Sequence, residues 1–322
     1  MTAQTSGGGV DTPRSQAGPR PQHLLATVLG EYLDSSDALM PAAALVAVLG
    51  EFGISAGSAR AALARLVRRG LVASRGAGRS TTYHVRADVI AHHRAVMHAF
   101  LSFGAVPRRW DGRWLVVSYS LPESGQSHRH AVRKALGEHG FARLYDSVWI
   151  SPAPEPATVR DVLRELLADV VGARWTVMRA RFDEDPAAQG PQGAYDLEAL
   201  GDAYRAFVAE HAPLRADVRA GRVTPARALV ARATVMDAWR TFAGTDPDLP
   251  EHLLPPSWPR AEARETFLEV HTALGPLAQE RLVELMTPFW PEAESWVTHF
   301  VAPDDPLAPP RGGRADAPVA RR

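Results

Sequence analysis

Between residues 54 and 86 the chain carries Arg60, Arg65, Arg68, Arg69, Arg75, Arg79 and Arg86 and not one Asp or Glu. The full 322 residues hold 36 basic and 36 acidic side chains, so this stretch leaves 36 − 7 − 36 = −7 for everything else. A neutral total argues against a nucleic-acid binder; a concentrated patch of one sign argues for one. The same stretch has a strict local pattern. Ser55 and Ser58 offer helix N-caps, a helical period runs to Arg69, and Gly70 follows where a left-handed residue ends a helix. On that period Ala59, Leu63, Leu66 and Val67 share one face, while Ser58, Ala61, Arg65 and Arg68 share the opposite one. Residues 71–74 and 81–85 then alternate as short strands around a glycine-containing turn. Upstream, Leu24, Leu25, Val28, Leu29 and Leu33 recur at helical spacing, and 41–52 reads as a second helix with Pro41 in its first turn, broken by Gly53. Helix, helix, helix, hairpin over residues 23–86 is the order of a winged helix-turn-helix.

A helix that enters the major groove needs small or long polar side chains outward, because bulky apolar ones hold its backbone away from the base edges. The DNA-binding candidates are therefore Ser58, Arg60, Ala61, Arg65, Arg68 and Arg69 on the helix, with Arg75 and Arg79 on the wing. The competing reading is a solvated arginine face in a winged-helix adaptor that binds protein. The absence of any acid over the whole segment is hard to obtain from a neutral surface and favours DNA.

Beyond the head, residues 87–109 read as a linker helix. Residues 110–185 alternate as strand, helix, strand, strand, helix, strand, the βαββαβ order of a ferredoxin-like domain. Residues 195–302 read as helical, with Thr224 and Pro225 as cap and first turn, prolines forbidding a helix over 246–259, and helices over 260–274 and 277–286. Residues 1–22 and 303–322 read as disordered tails. The fold class is α+β. Without cysteine the chain has neither disulfides nor a thiol nucleophile. Its longest apolar run, 41–49, is half of a membrane span and no secretory signal precedes it, so a cytoplasmic protein without a membrane partner is expected.

No catalytic or metal site is read from this sequence, and no cofactor. Ferredoxin-like metal nucleases place an acid at the end of the first strand, where this chain has Ser120, and Mg²⁺ cannot be organised there without carboxylates. His92, His93 and His98 contain no i, i+4 pair for zinc and read as a solvated face of the linker helix. Asp246, Asp248 and Glu251 read as turn or cap residues. Trp110, Trp114, Trp149, Trp175 and Trp239 are core residues by default. Arg113, Arg174 and Arg240 lie beside Trp114, Trp175 and Trp239, however, and these six residues form a candidate effector set for an apolar pocket with a few placed charges.

Taken together, Ser58–Gly70, the Trp110, Asp111, Gly112, Arg113, Trp114 run, Gly140 with Phe141, and Val148 through Pro152 resemble the PaaX-like transcriptional regulators, the phenylacetate-catabolism repressors. The likeness continues in Ala238, Trp239, Arg240, in Asp246 through Pro250, and in Leu253, Leu254, Pro255, Trp258 and Pro259, with Arg260 standing where a glycine is expected. The resemblance implies a homodimeric repressor on a palindromic double-stranded operator, released by an aryl-CoA such as phenylacetyl-CoA. Dimerisation is also expected physically, because one winged helix buries too little DNA for tight, specific binding.

Overall fold

A computed structural model describes residues 21–76, 81–152, 156–182 and 190–301. Residues 1–20, 302–322 and Arg79 lie outside them. By Cα packing the chain forms two compact units, one of residues 1–103, 210–240 and 265–322, the other of 104–209 and 241–264. The helical stretch that the sequence groups into one block is thus divided between both. No single described helix is long and apolar enough to cross a membrane.

The first unit begins with α1 (Pro21–Tyr32), β1 (Met40–Pro41), α2 (Ala42–Glu51), α3 (Ala56–Arg68), β2 (Val72–Arg75), β3 (Thr82–Val85) and α4 (Ala87–Ser102). Pro21 and Gln22, grouped with the N-terminal segment by the sequence, belong to α1. β1, which is too short to show in a hydrophobic pattern, pairs with β3 and completes a three-stranded antiparallel sheet of order β1-β3-β2. α1 and α2 pack on α3, and Leu25, Leu45, Leu49, Ala59, Ala62, Leu63 and Leu66 fill the space between them.

α4 is not a free linker. It packs on α1 and buries Ile90, Met97 and Leu101. The solvated-histidine expectation fails with it: His93 is half-buried with its ring packed against Gly30, and the Nε2 atoms of both His93 and His98 are buried without a hydrogen-bond partner. Three histidines within seven positions look hydrophilic in sequence, yet their spacing puts His93 on the same side as Ile90 and Met97.

The second unit holds β4 (Trp114–Ser120), α5 (Gln126–Glu138), β5 (Ala142–Tyr145), β6 (Val148–Ser151), α6 (Pro156–Leu166) and β7 (Arg174–Ala180). The sheet order is β5-β6-β4-β7 with every neighbour antiparallel, which interleaves two βαβ halves in the expected way. Leu115, Val117 and Tyr119 face a core with Val132, Leu136, Val159 and Leu163 of the two helices. Trp114, Val116 and Ile150 face the other side, where Leu249, Leu253, Leu254 and Tyr195 cover them.

Three long helices follow: α7 (Leu197–Arg219), α8 (Pro225–Thr245) and α9 (Arg260–Met286), then the short α10 (Ala293–Trp296). Thr224 Oγ1 accepts from Arg227 N at 3.3 Å and caps α8. Where the sequence predicts two helices broken near Gly275 and Pro276, α9 runs through both. Its buried stripe of Phe267, Val270, Leu274, Ala278, Leu282 and Met286 continues across the proline, so packing outweighs the one missing backbone donor. Gly275 has a packing role: a Cβ there would stand 2.5 Å from His299 Cδ2.

Candidate nucleic-acid interface

The geometry of α3 is set by its two ends. α2 closes with Gly53 at φ 74°, where Gly53 N donates to Gly50 O and Ile54 N to Leu49 O; residues 52–55 then turn the chain by 120° into α3. Ser55 accepts from Ser58 N at 3.3 Å. At the other end Gly70 takes φ 69°, with Gly70 N on Val67 O and Leu71 N on Leu66 O, the paired bonds of a Schellman cap. Between these caps Ala59, Ala62, Leu63 and Leu66 point inward, so rotation of the helix about its axis is fixed.

Outward point Ala56, Gly57, Ser58, Arg60, Ala61, Ala64, Arg68 and Arg69, all exposed. Ala62 takes the buried place expected for Val67, which is half-exposed. The surface is therefore small side chains punctuated by arginine, and Arg60, Arg68 and Arg75 have no ion-pair partner among the described residues. Arg65 differs: it is half-buried and its Nε donates to Gln22 Oε1 at 2.9 Å, so it ties α3 to α1. Arg75 is exposed at the end of β2, paired in register with Thr82. Arg86 is held by Asp88 through two hydrogen bonds of 3.0 and 2.8 Å, which withdraws one of the seven charges from the patch.

α1 in turn is fixed to α8 and α9 by buried polar groups that sequence reading missed. Glu31 Oε2 lies 3.1 Å from Arg232 Nη1 and 3.4 Å from His271 Nε2, and all three side chains are at most 1% exposed. Arg232 donates onward to the carbonyls of His271 (3.0 Å) and Phe300 (2.7 Å) and lies over the Tyr32 ring. Burial alone raises the Glu31 carboxyl, but the fields of Arg232 and His271 outweigh it and bring the pKa down to about 2. Burial, then Arg232, pushes His271 down to about 4. Thr298 N and Phe300 N donate to the carbonyls of Tyr32 and Glu31, and Arg281 of α9 grips Glu51 of α2 at 3.1 and 2.8 Å. A signal for this cluster exists in the sequence: Glu31, Arg232 and His271 each sit on an apolar helical stripe, with Leu24 and Val28, Leu229 and Met236, and Phe267 and Leu274.

The six effector candidates do not converge. Trp114 and Trp175 belong to opposite faces of the sheet. Arg174 shares the Trp114 face but pairs with Ser120 at the far end of β4, six residues or about 20 Å away. Arg113 is exposed beside Asp111. Trp239 is wholly buried, stacked 4.8 Å on Phe267 with its Nε1 donating to Phe100 O, and Arg240 donates to Thr27 Oγ1 at 2.9 Å. Trp239 is thus a core residue and Arg240 a buried tie between α8 and α1. Arg260, in place of the expected glycine, pairs with Asp248 at 2.8 Å and Asp246 at 3.5 Å, so these two acids close a proline-rich turn.

Three consecutive segments match one family: residues 20–89 the PaaX-like protein, 107–189 the PaaX protein central Cas2-like domain, and 195–284 the PaaX-like protein C-terminal domain. The chain belongs to the PaaX family. It is 26% identical over 268 residues to the transcriptional repressor PaaX of Escherichia coli (strain K12), covering 79% of this chain and 80% of that one. An uncharacterised protein, Rv0674 of Mycobacterium tuberculosis, has a similar fold, with a TM-score of 0.51 at 23% identity over 80% of this chain and 96% of that chain. Kinship to a PaaX repressor supports a non-enzymatic regulator of transcription. Within the PaaX central domain of this chain, β4 ends in exposed Ser120, and among the described residues no three His, Asp or Glu side chains cluster in a way that would hold a metal.

Proposed function

We propose that this protein is a DNA-binding repressor in which α2, α3 and the β2–β3 hairpin act as a winged helix-turn-helix, with α3 in the major groove. The observation that carries this reading is the outward face of α3, where small residues let the backbone approach base edges and Arg60 and Arg68 extend without competing acids. Arg69 and Arg75 flank that face as phosphate contacts, Ser58 and Ala61 lie at its centre, and Arg65 acts by holding α3 on α1. In this proposal the working unit is a homodimer on half-sites about 10 bp apart or a multiple of that.

Arg68→Ala should weaken binding to the DNA upstream of the protein's own gene by roughly 1–3 kcal/mol if the side chain reads a base, and relax discrimination at one position. Fluorescence anisotropy on matched and mutated duplexes reads both. An affinity identical to wild type for Arg68→Ala and for Arg60→Ala would remove α3 from the interface and favour the protein-binding adaptor.

Release by an aryl-CoA belongs to the same proposal and rests on family kinship. One aromatic cluster of the second unit supports a place for the aryl group. Trp114 stacks on Tyr195 and meets Trp110 edge-on, Trp110 lies over His252, and Tyr195 and His252 line an open groove of about 750 Å³. Asp196 and Glu198 also line it, and both repel carrier phosphates, so the anionic part of such a ligand must point away from them. Phenylacetyl-CoA should lower operator affinity and be recovered intact; hydrolysed thioester, or unchanged affinity, would contradict effector release.

A further inference from the structure

The elements of the N-terminal head leave a cavity between them. It measures about 50 Å³, counted as the space open to the centre of a water molecule, and Leu29 of α1, Leu66 of α3, Val72, Val85, Ile90 and His93 are among its lining residues. On that scale one water needs roughly 10–15 Å³, so the space holds several waters by volume while its carbon walls give them few partners. A partly open, mainly apolar space of this kind favours a small apolar occupant over water.

Of the polar residues in the wall, His92, His93 and Arg94, it is His93 whose Nε2 is buried without a hydrogen-bond partner. The place of a Cβ on Gly30 is 1.7, 2.0 and 2.2 Å from Nε2, Cδ2 and Cε1 of the imidazole. Such nearly equal distances put Gly30 over the face of the ring rather than at its edge. The edge, which carries the lone pair or proton of Nε2, is therefore not covered by Gly30, and Nε2 has no hydrogen-bond partner although it is buried. Burial, with Arg240 nearby, keeps this imidazole neutral by lowering its pKa to about 4. A neutral imidazole offers Nε2 as donor or acceptor according to tautomer, and a hydroxyl serves both, because it donates one proton and accepts through its lone pairs. A charged ligand is excluded by the same surroundings: Arg94, the one cation in the lining, is already held by Asp34 through its carbonyl at 2.7 Å and carboxylate at 3.6 Å.

We propose that this cavity is a binding site for a small uncharged aromatic ring bearing one hydroxyl, with the ring on the apolar wall and the hydroxyl on His93 Nε2. A rigid ring suits it better than a flexible chain of equal area, since fewer torsions are frozen on burial. The site is distinct from the groove beside Tyr195 and does not depend on the DNA-binding reading. The occupant touches α3 through Leu66 and the hairpin through Val72 and Val85, so it sets the spacing of the two.

The test uses the full chain with phenol and benzene as probes, read by ligand-observed NMR and by the thermal unfolding midpoint. Phenol should give saturation transfer and raise the midpoint, and benzene, which lacks the hydroxyl, should bind about tenfold more weakly. Ala26→Leu and Val89→Met each add bulk to the lining and should abolish the phenol response while the protein stays folded. Phenol without effect on folded wild-type protein, phenol binding that survives in both filled variants, or benzene binding as tightly as phenol would overturn the proposal.

Discussion

Arg232→Leu should destabilise the protein by about 3–5 kcal/mol, because it strands the Glu31 carboxylate in a wholly buried site with no compensating cation at contact distance. The carbonyls of His271 and Phe300 lose their donor in the same step. For a unit of this size the midpoint of thermal unfolding should fall by about 10 °C. Glu31→Leu combined with Arg232→Leu should recover part of the loss, since the orphaned charge goes while the two carbonyls remain unpaired. Calorimetry of the two single variants and the double variant measures this coupling. Additive losses, or an Arg232→Leu cost below about 1 kcal/mol, would show that the cluster does not fasten α1 to α8.

Acid should weaken the first unit with a defined sign. In the folded protein His93 and His271 sit at about 4, against an ordinary value of 6.5, and both are lowered chiefly by burial. The unfolded chain therefore binds more protons between those limits, so the stability held above pH 6.5 is lost as pH falls towards 4. At pH 5 the loss should be about 2 kcal/mol for each histidine relative to neutral pH. Glu31 adds to it only below its ordinary value of 4.5, since its folded value is about 2. Urea unfolding at pH 7.5 and pH 5.0 reads the difference, and His271→Gln should halve it. A stability that is flat or rising between these pH values would contradict the buried, neutral state of the two rings.

Much of this architecture is legible in the chain because local signals agree. Ser55 and Gly70 bound α3, the small-and-arginine face opposes an apolar one, and clean alternation marks β4 through β7. What sequence reading missed shares one physical cause: it depends on partners distant along the chain. Gln22 looks like part of a glycine- and serine-rich tail until it meets Arg65, and β1 is a strand only because β3 passes beside it. Pro276 marks a helix boundary by local rules, yet a continuous buried stripe carries α9 past it. The arginines beside tryptophans suggested a ligand site from adjacency alone, whereas a strand sends neighbouring residues to opposite faces and a helix turns them about 100° apart. Trp175 accordingly packs under α5 and α6 while Arg174 points away, and Arg240 leaves Trp239 for α1.

The central claim, that α3 and the hairpin form a sequence-reading DNA surface, is tested most directly by titrating the full chain against its own upstream DNA and a scrambled duplex at 50 and 200 mM salt. Specific binding through several phosphate contacts predicts a steep fall of affinity with salt and a tighter hold on the native duplex at both concentrations, by roughly a thousandfold or more. Equal affinity for the two duplexes, or no salt dependence, would contradict it.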